Sequence, residues 1–145
     1  MKNVIAAVDF SPVSEAVVSH AIHLARVNQG RLWIVHVAAP DPDFVGYEVG
    51  PEVVRQQRAT RLREEHQQLE DMARDANAGG VTTTALMIQG PTSRTLLEKA
   101  AELDADLLVL GSHGHGALHN LLVGSVTESV VKDARIPVLI VPSRS

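Results

Sequence analysis

The sequence contains no cysteine. That alone excludes a disulfide framework, a thiolate zinc site, an iron–sulfur cluster and a cysteine nucleophile. Aromatic residues make up only 3% of the chain: Phe10, Trp33, Phe44 and Tyr47. The core must therefore be aliphatic. Positive charge is also scarce, with 13 Lys+Arg against 17 Asp+Glu and a net charge of -4. Sequence-independent nucleic-acid binding needs a basic face to displace counterions, so no nucleic-acid partner is expected. Apolar runs stop well short of the roughly 20 residues a membrane helix requires. The start, Met1-Lys2-Asn3-Val4, enters a short apolar run with no signal-cleavage pattern. The expectation is a cytoplasmic protein that does not insert into membranes.

What is present is enough for one globular domain spanning residues 1–145. The chain has 145 residues, 45% of them hydrophobic and 21% charged, a balance that supports a core. Four short apolar runs lack polar alternation and read as central parallel strands: Val4-Ile-Ala-Ala-Val8, Leu32-Trp-Ile-Val-His-Val37, Leu107-Leu-Val-Leu110 and Val138-Leu-Ile-Val141. A fifth, from Val81 to Ile88, carries three threonines and reads as less buried.

Helical periodicity fills the gaps. After Ser11-Pro12, a capping pair, apolar residues fall at Val17, Ala21, Leu24 and Ala25. A long helix from about Glu52 to Ala78 places Leu62, Leu69, Met72 and Ala76 on one stripe and ends at Gly79-Gly80. A third follows Gly90-Pro91, with Leu96, Leu97, Ala100 and Ala101 inward. A fourth follows Gly124-Ser125, with Val126, Val130, Val131 and Ala134 inward. The alternation predicts an α/β domain with a five-stranded parallel sheet and helices on both faces. Residues 38–51, rich in proline and glycine, read as a loop long enough to be a lid.

In such a sheet, ligands bind outside the carboxyl ends of the strands, so the strand-to-helix loops matter most. The first is Val8-Asp9-Phe10-Ser11-Pro12. Asp9 suits a ribose hydroxyl or Mg²⁺, but from this loop alone capping of the next helix is the favoured reading. The second runs from Gly111 through Ser112, His113, Gly114, His115 and Gly116 to Gly124-Ser125. Glycines admit a ligand close to the main chain, and a helix N-terminus offers free amides to an anion. The segment has no P-loop lysine and no dinucleotide fingerprint. Ser125 and Glu128 also form a Ser-x-x-Glu capping box, which is compatible with phosphate binding by the first-turn amides. His113, His115 and His119 are too loosely spaced, and too far from a carboxylate, to read as a metal site. His36 reads as a hydrogen-bonded core histidine.

Gly111, Gly114, Gly124 and Ser125 match the spacing Gly-x2-Gly-x9-Gly-Ser/Thr. With Val8-Asp9-Phe10-Ser11, His36-Val37 and Pro137-Val-Leu-Ile-Val141, the chain resembles the nucleotide-binding branch of the universal stress protein family over nearly its whole length. The resemblance implies a flavodoxin-like, adenine-nucleotide-hydrolase-like sheet in the order 3-2-1-4-5. It also implies a stress-response regulatory protein that binds ATP, or ADP or AMP, between the first and fourth strand loops. Asp9 and Ser11 would then serve the ribose side, and the Val37 backbone the adenine edge. Gly111, His113, Gly114, Gly124, Ser125 and Val126 would line the phosphate side, with Mg²⁺ or Mn²⁺ carried by the phosphates and possible help from Asp9. His115 and His119 stand where common members carry Arg or Lys, which lowers fixed positive charge and leaves AMP and ADP open beside ATP. The resemblance further implies a homodimer through the C-terminal strand, from Ile136 to Pro142, and a regulatory protein partner of unknown identity. A slow ATPase or phosphotransfer enzyme of the same fold is the alternative. It lacks a positioned base beyond Asp9.

Overall fold

The computed structural model describes residues 2–38, 51–112 and 124–143. In chain order the elements are β1 (Asn3–Ala7), α1 (Ser14–Val27), β2 (Arg31–Ala38), α2 (Pro51–Ala78), β3 (Thr83–Gln89), α3 (Thr92–Glu102), β4 (Leu107–Gly111), α4 (Ser125–Asp133) and β5 (Val138–Val141). All strand pairs are parallel, and the order across the sheet is β3-β2-β1-β4-β5. This is the expected order.

The period-2 alternation of the strands divides the core into two layers. Val4, Ala6, Leu32, Ile34, Leu107 and Val109 face α1 and α2, where Val17, Ala21, Ala25 and Leu69 complete one apolar cluster. Ile5, Val35, Val37, Leu108 and Leu110 face the other way, against Leu96 and Ala100 of α3 and Val130 of α4. Ile5, Ile34, Val35, Leu108 and Val109 are fully buried, as strands covered on both faces must be. β3, the edge strand carrying the threonines, is only half-buried along most of its length.

Several helix details differ from the sequence reading. Ser11 and Pro12 form a turn before α1 rather than its cap, since the Ser14 amide donates to the Ser11 carbonyl at 3.0 Å. β3 begins at Thr83, not Val81, and the Asn77 side chain clamps both backbone groups of Thr83 at 2.9 Å. Ala101 is exposed. Val126 and Val131 also point outward, 38% and 49% exposed, because α4 has nine residues and turns only the Thr127 and Val130 face fully inward.

Candidate functional site

β1 and β4 lie side by side, yet the helices that follow them pack on opposite faces of the sheet. The chain therefore parts above these two strands, leaving a crevice at the point where strand order reverses. The β1–α1 loop and the described ends of the glycine-rich segment, at Gly111–Ser112 and Gly124, follow these strands.

In the β1–α1 loop, the Asp9 carboxylate accepts the Ser11 amide at 2.9 Å and the Ser14 hydroxyl at 3.1 Å through one oxygen. Asp9 thus closes its own loop instead of capping the amides of α1, whose cap position, Val13, makes no side-chain bond. Phe10 adopts φ +63°. That is costly for a bulky residue, about 1–3 kcal/mol, and persists only where the surroundings enforce it. Here the ring packs on His36 with centroids 4.7 Å apart. Ser11 is 8% exposed, and its buried hydroxyl finds no hydrogen-bond partner among the described residues. An orphaned buried hydroxyl at the mouth of a crevice is a group that a ligand can satisfy.

The second loop is pinned at its base. The Gly124 amide donates to the Ser112 carbonyl at 2.6 Å, so the two ends of the glycine-rich segment meet. Ser112 is itself fixed, donating its amide to Val141 and accepting the Ser143 amide on its hydroxyl, both at 2.9 Å. Thr127 donates its hydroxyl to the Gly111 carbonyl at 2.8 Å and braces α4 against the end of β4. Gly124 holds the cap position of α4 without any side-chain capping bond, and Ser125 and Glu128 are exposed. The expected capping box is not formed. Ser125 lies within the helix, one residue too late to cap it, and the Glu128 amide goes to the Gly124 carbonyl at 3.0 Å. Gly111 ends a strand and Gly124 has φ -72°, so neither is there for a positive φ. Among the described glycines that conformation belongs to Gly80 and Gly90.

The structure thus brings Asp9, Ser11, Gly111, Gly124, Ser125 and Val126 to the ends of two adjacent strands. Val37 lies one position before the end of β2, 8% exposed and packed on the α3 side. His113 and Gly114, with His115, His119 and most of the 38–51 loop, lie outside the described residues. No group of three metal-ligating side chains occurs among the described residues. At the crevice the Asp9 carboxylate is of the oxygen-donor type that suits a hard cation.

Sequence reasoning found His36 as a core histidine but missed what holds it. Its Nδ1 lies 2.8 Å from the Val8 carbonyl, and its Nε2 lies 2.9 Å from Glu65 of α2. Arg61, one turn earlier, lies 3.3 Å from the same carboxylate. The Arg61/Glu65 spacing is visible in the sequence, but the pairing with β2 requires the fold.

The universal stress protein family model matches residues 1–142. The chain belongs to the universal stress protein family. It is 32% identical to a universal stress protein of Thermus aquaticus over 142 residues, covering 97% of this chain and 98% of the other. It is 33% identical to one of Methanocaldococcus jannaschii, covering 97% and 81%. Among solved structures, the universal stress protein UspA of Lactobacillus plantarum superposes with a TM-score of 0.83 at 20% identity, covering 97% of each chain. A family protein of Arabidopsis thaliana with AMP bound gives 0.71 at 20% identity, covering 100% of this chain and 94% of that one. A universal stress protein in complex with cAMP gives 0.67 at 25% identity, covering 97% and 96%. No described helix is long and apolar enough to cross a membrane.

Proposed function

We propose that this universal stress protein binds an adenine nucleotide, ATP, ADP or AMP, in the crevice between the β1–α1 and β4–α4 loops. It would act in a stress response by changing conformation or partner rather than by turnover. The observation that carries the reading is the adjacency of two prepared loops. On one side stand the Asp9 turn and the orphaned Ser11 hydroxyl. On the other, the Ser112–Gly124 bond brings the strand end to the uncapped first turn of α4. Free first-turn amides and a helix dipole favour a phosphate. Family members with AMP or cAMP support the class of ligand. Mg²⁺ or Mn²⁺ would enter with the phosphates, and Asp9 is the carboxylate placed to meet it.

The protein would act as a homodimer in the cytoplasm, signalling to a further protein. β5 is an edge strand whose Val138, Leu139 and Ile140 are only half-buried, and the exposed Val126 and Val131 lie on the adjoining α4. Pairing this edge with a second copy would cover it. Sedimentation as a monomer at micromolar concentration would refute the dimer.

Calorimetry with AMP, ADP and ATP, with and without Mg²⁺, tests the main reading on wild type and on Gly114→Ala. Heat with at least one nucleotide, weakened in the variant, is expected. No heat with any of the three overturns the proposal. A turnover assay on the same samples separates a binding protein from a slow hydrolase.

A further inference from the structure

The bonding around His36 fixes a proton count. A carbonyl oxygen only accepts, so the Nδ1 that lies 2.8 Å from the Val8 carbonyl must carry its hydrogen. An ionised carboxylate also only accepts, and Glu65 Oε2 lies 2.9 Å from Nε2. Without a further proton, two lone pairs would face each other at hydrogen-bond distance. A proton therefore stands between Nε2 and Oε2, as imidazolium with carboxylate or imidazole with carboxylic acid. The side chains are 11% and 18% exposed, so water has little access to replace that bond.

Among the described residues, the following groups meet the ring or its partner. From α2, Glu65 meets the ring, with the largely exposed Arg61 behind it, and Arg63 and His66 line a pocket with Met87 beside it. β1 presents the Val8 carbonyl, and the neighbouring position on β3 is Met87. The β1–α1 loop presents the Phe10 ring, while its one carboxylate, Asp9, is turned to Ser11 and Ser14. One ring thus holds the Val8 carbonyl just before Asp9, supports the left-handed Phe10 just after it, and anchors α2.

We infer that His36 and Glu65 form a one-proton positioning pair for the β1–α1 loop, so that ligand binding at Asp9 and Ser11 weakens when the shared proton is lost. When it leaves, Nε2 and the carboxylate repel, α2 separates from the ring, and the support under Phe10 and Val8 relaxes. The ligand part rests on the proposed nucleotide site; the loop part does not.

The first test uses the ligand-free protein. Nitrogen NMR of the His36 ring, which reports its protonation directly, and of the Asp9, Phe10 and Ser11 amides is followed across the pH range in which the protein stays folded. In wild type, the three amide signals should move together with the ring nitrogen signals. In Glu65→Gln, the amide can turn to donate to a neutral ring or accept from a charged one, so the loop amides should stay still. Static loop amides in wild type overturn the inference, as does equal movement in both proteins. The wild-type measurement needs no variant to fold.

The second test is AMP affinity over the same range. Wild type should lose about three- to tenfold relative to Glu65→Gln as pH rises, the worth of one hydrogen bond. Ionisation of the AMP phosphate is common to both proteins and cancels in that ratio. A coupled loop with no AMP binding in either protein refutes the nucleotide reading alone. AMP binding with a pH-independent ratio refutes the pair's role.

Discussion

Replacing Thr127 with Val tests whether the β4–α4 junction shapes the candidate cradle. The residue is 5% exposed and its hydroxyl donates to the Gly111 carbonyl at 2.8 Å. Valine keeps the volume and the β-branch, so no cavity forms, and the loss is the hydrogen bond itself. A net bond is worth about 1 kcal/mol, and stranding a partly buried acceptor raises the cost to about 1–2 kcal/mol. Gly111 is half-buried, so water can recover part of that. For a chain of this length the melting midpoint should fall by about 4–6 °C. Because the same bond holds α4 against the strand end, AMP affinity should also fall, by about three- to tenfold. Urea denaturation and calorimetry measure the two effects, and Thr127→Ser, which keeps the hydroxyl, should retain most of the affinity. Unchanged stability in Thr127→Val would show that the bond contributes nothing. Lower stability with wild-type affinity would show that α4 can loosen without disturbing the site.

Two further perturbations probe the frame. Leu69 of α2 is fully buried in the core, so Leu69→Ala should cost about 2–5 kcal/mol in chemical denaturation; a loss below about 1 kcal/mol would mean that α2 barely contributes. Asp106 accepts the Asn3 and Lys2 amides on one oxygen at 2.9 and 2.8 Å, and these bonds hold its carboxyl below the usual aspartate range. A lowered folded value means the contribution is present above the unfolded aspartate value and is lost as pH falls through the folded one. Asp106→Asn should flatten that acid limb of stability, and equal acid limbs would refute the assignment.

The parallel strands and the helices on both faces were legible because each strand is a short apolar run separated by helical periodicity, whereas the strand order followed only from the family resemblance. The candidate site was suggested by the resemblance that the glycine spacing and the Asp9 loop carry. Three features were not legible. Phe10 gives no sequence sign of a left-handed backbone, since its conformation comes from a ring 26 positions away in the chain, on β2. The Ser125–Glu128 pattern suggests a capping box, but Gly124 takes the cap position because its amide is drawn to Ser112. Val126 and Val131 satisfy an apolar stripe and still face outward, because α4 is too short to bury a wide face. The scarcity of aromatics is reinforced by the fold. Phe10 packs on His36 and Trp33 lies under the Arg31 guanidinium, so neither is free to stack on a base.

The packing of α2 decides where a disturbance of the β1–α1 loop would travel. The C-terminal part of the helix is seated by Leu69, Ala73 and Ala76 and tied to β3 by Asn77. From Glu52 to Glu64 no residue is buried, and Val53 is 47% exposed. Glu65 lies at the boundary between these halves, and its partner is the ring that supports Phe10. The sheet beneath is closely packed on both faces and resists displacement, whereas the first half of α2 has little to lose by moving. Strain at Phe10 should therefore be expressed in α2 rather than in the strands. Amide exchange should show protection rising along α2 from Glu52 to Ala76, with the step at Glu65, and AMP should alter exchange before that step more than after it. Uniform protection along the helix, or a nucleotide effect confined to the Leu69–Ala76 half, would refute this route.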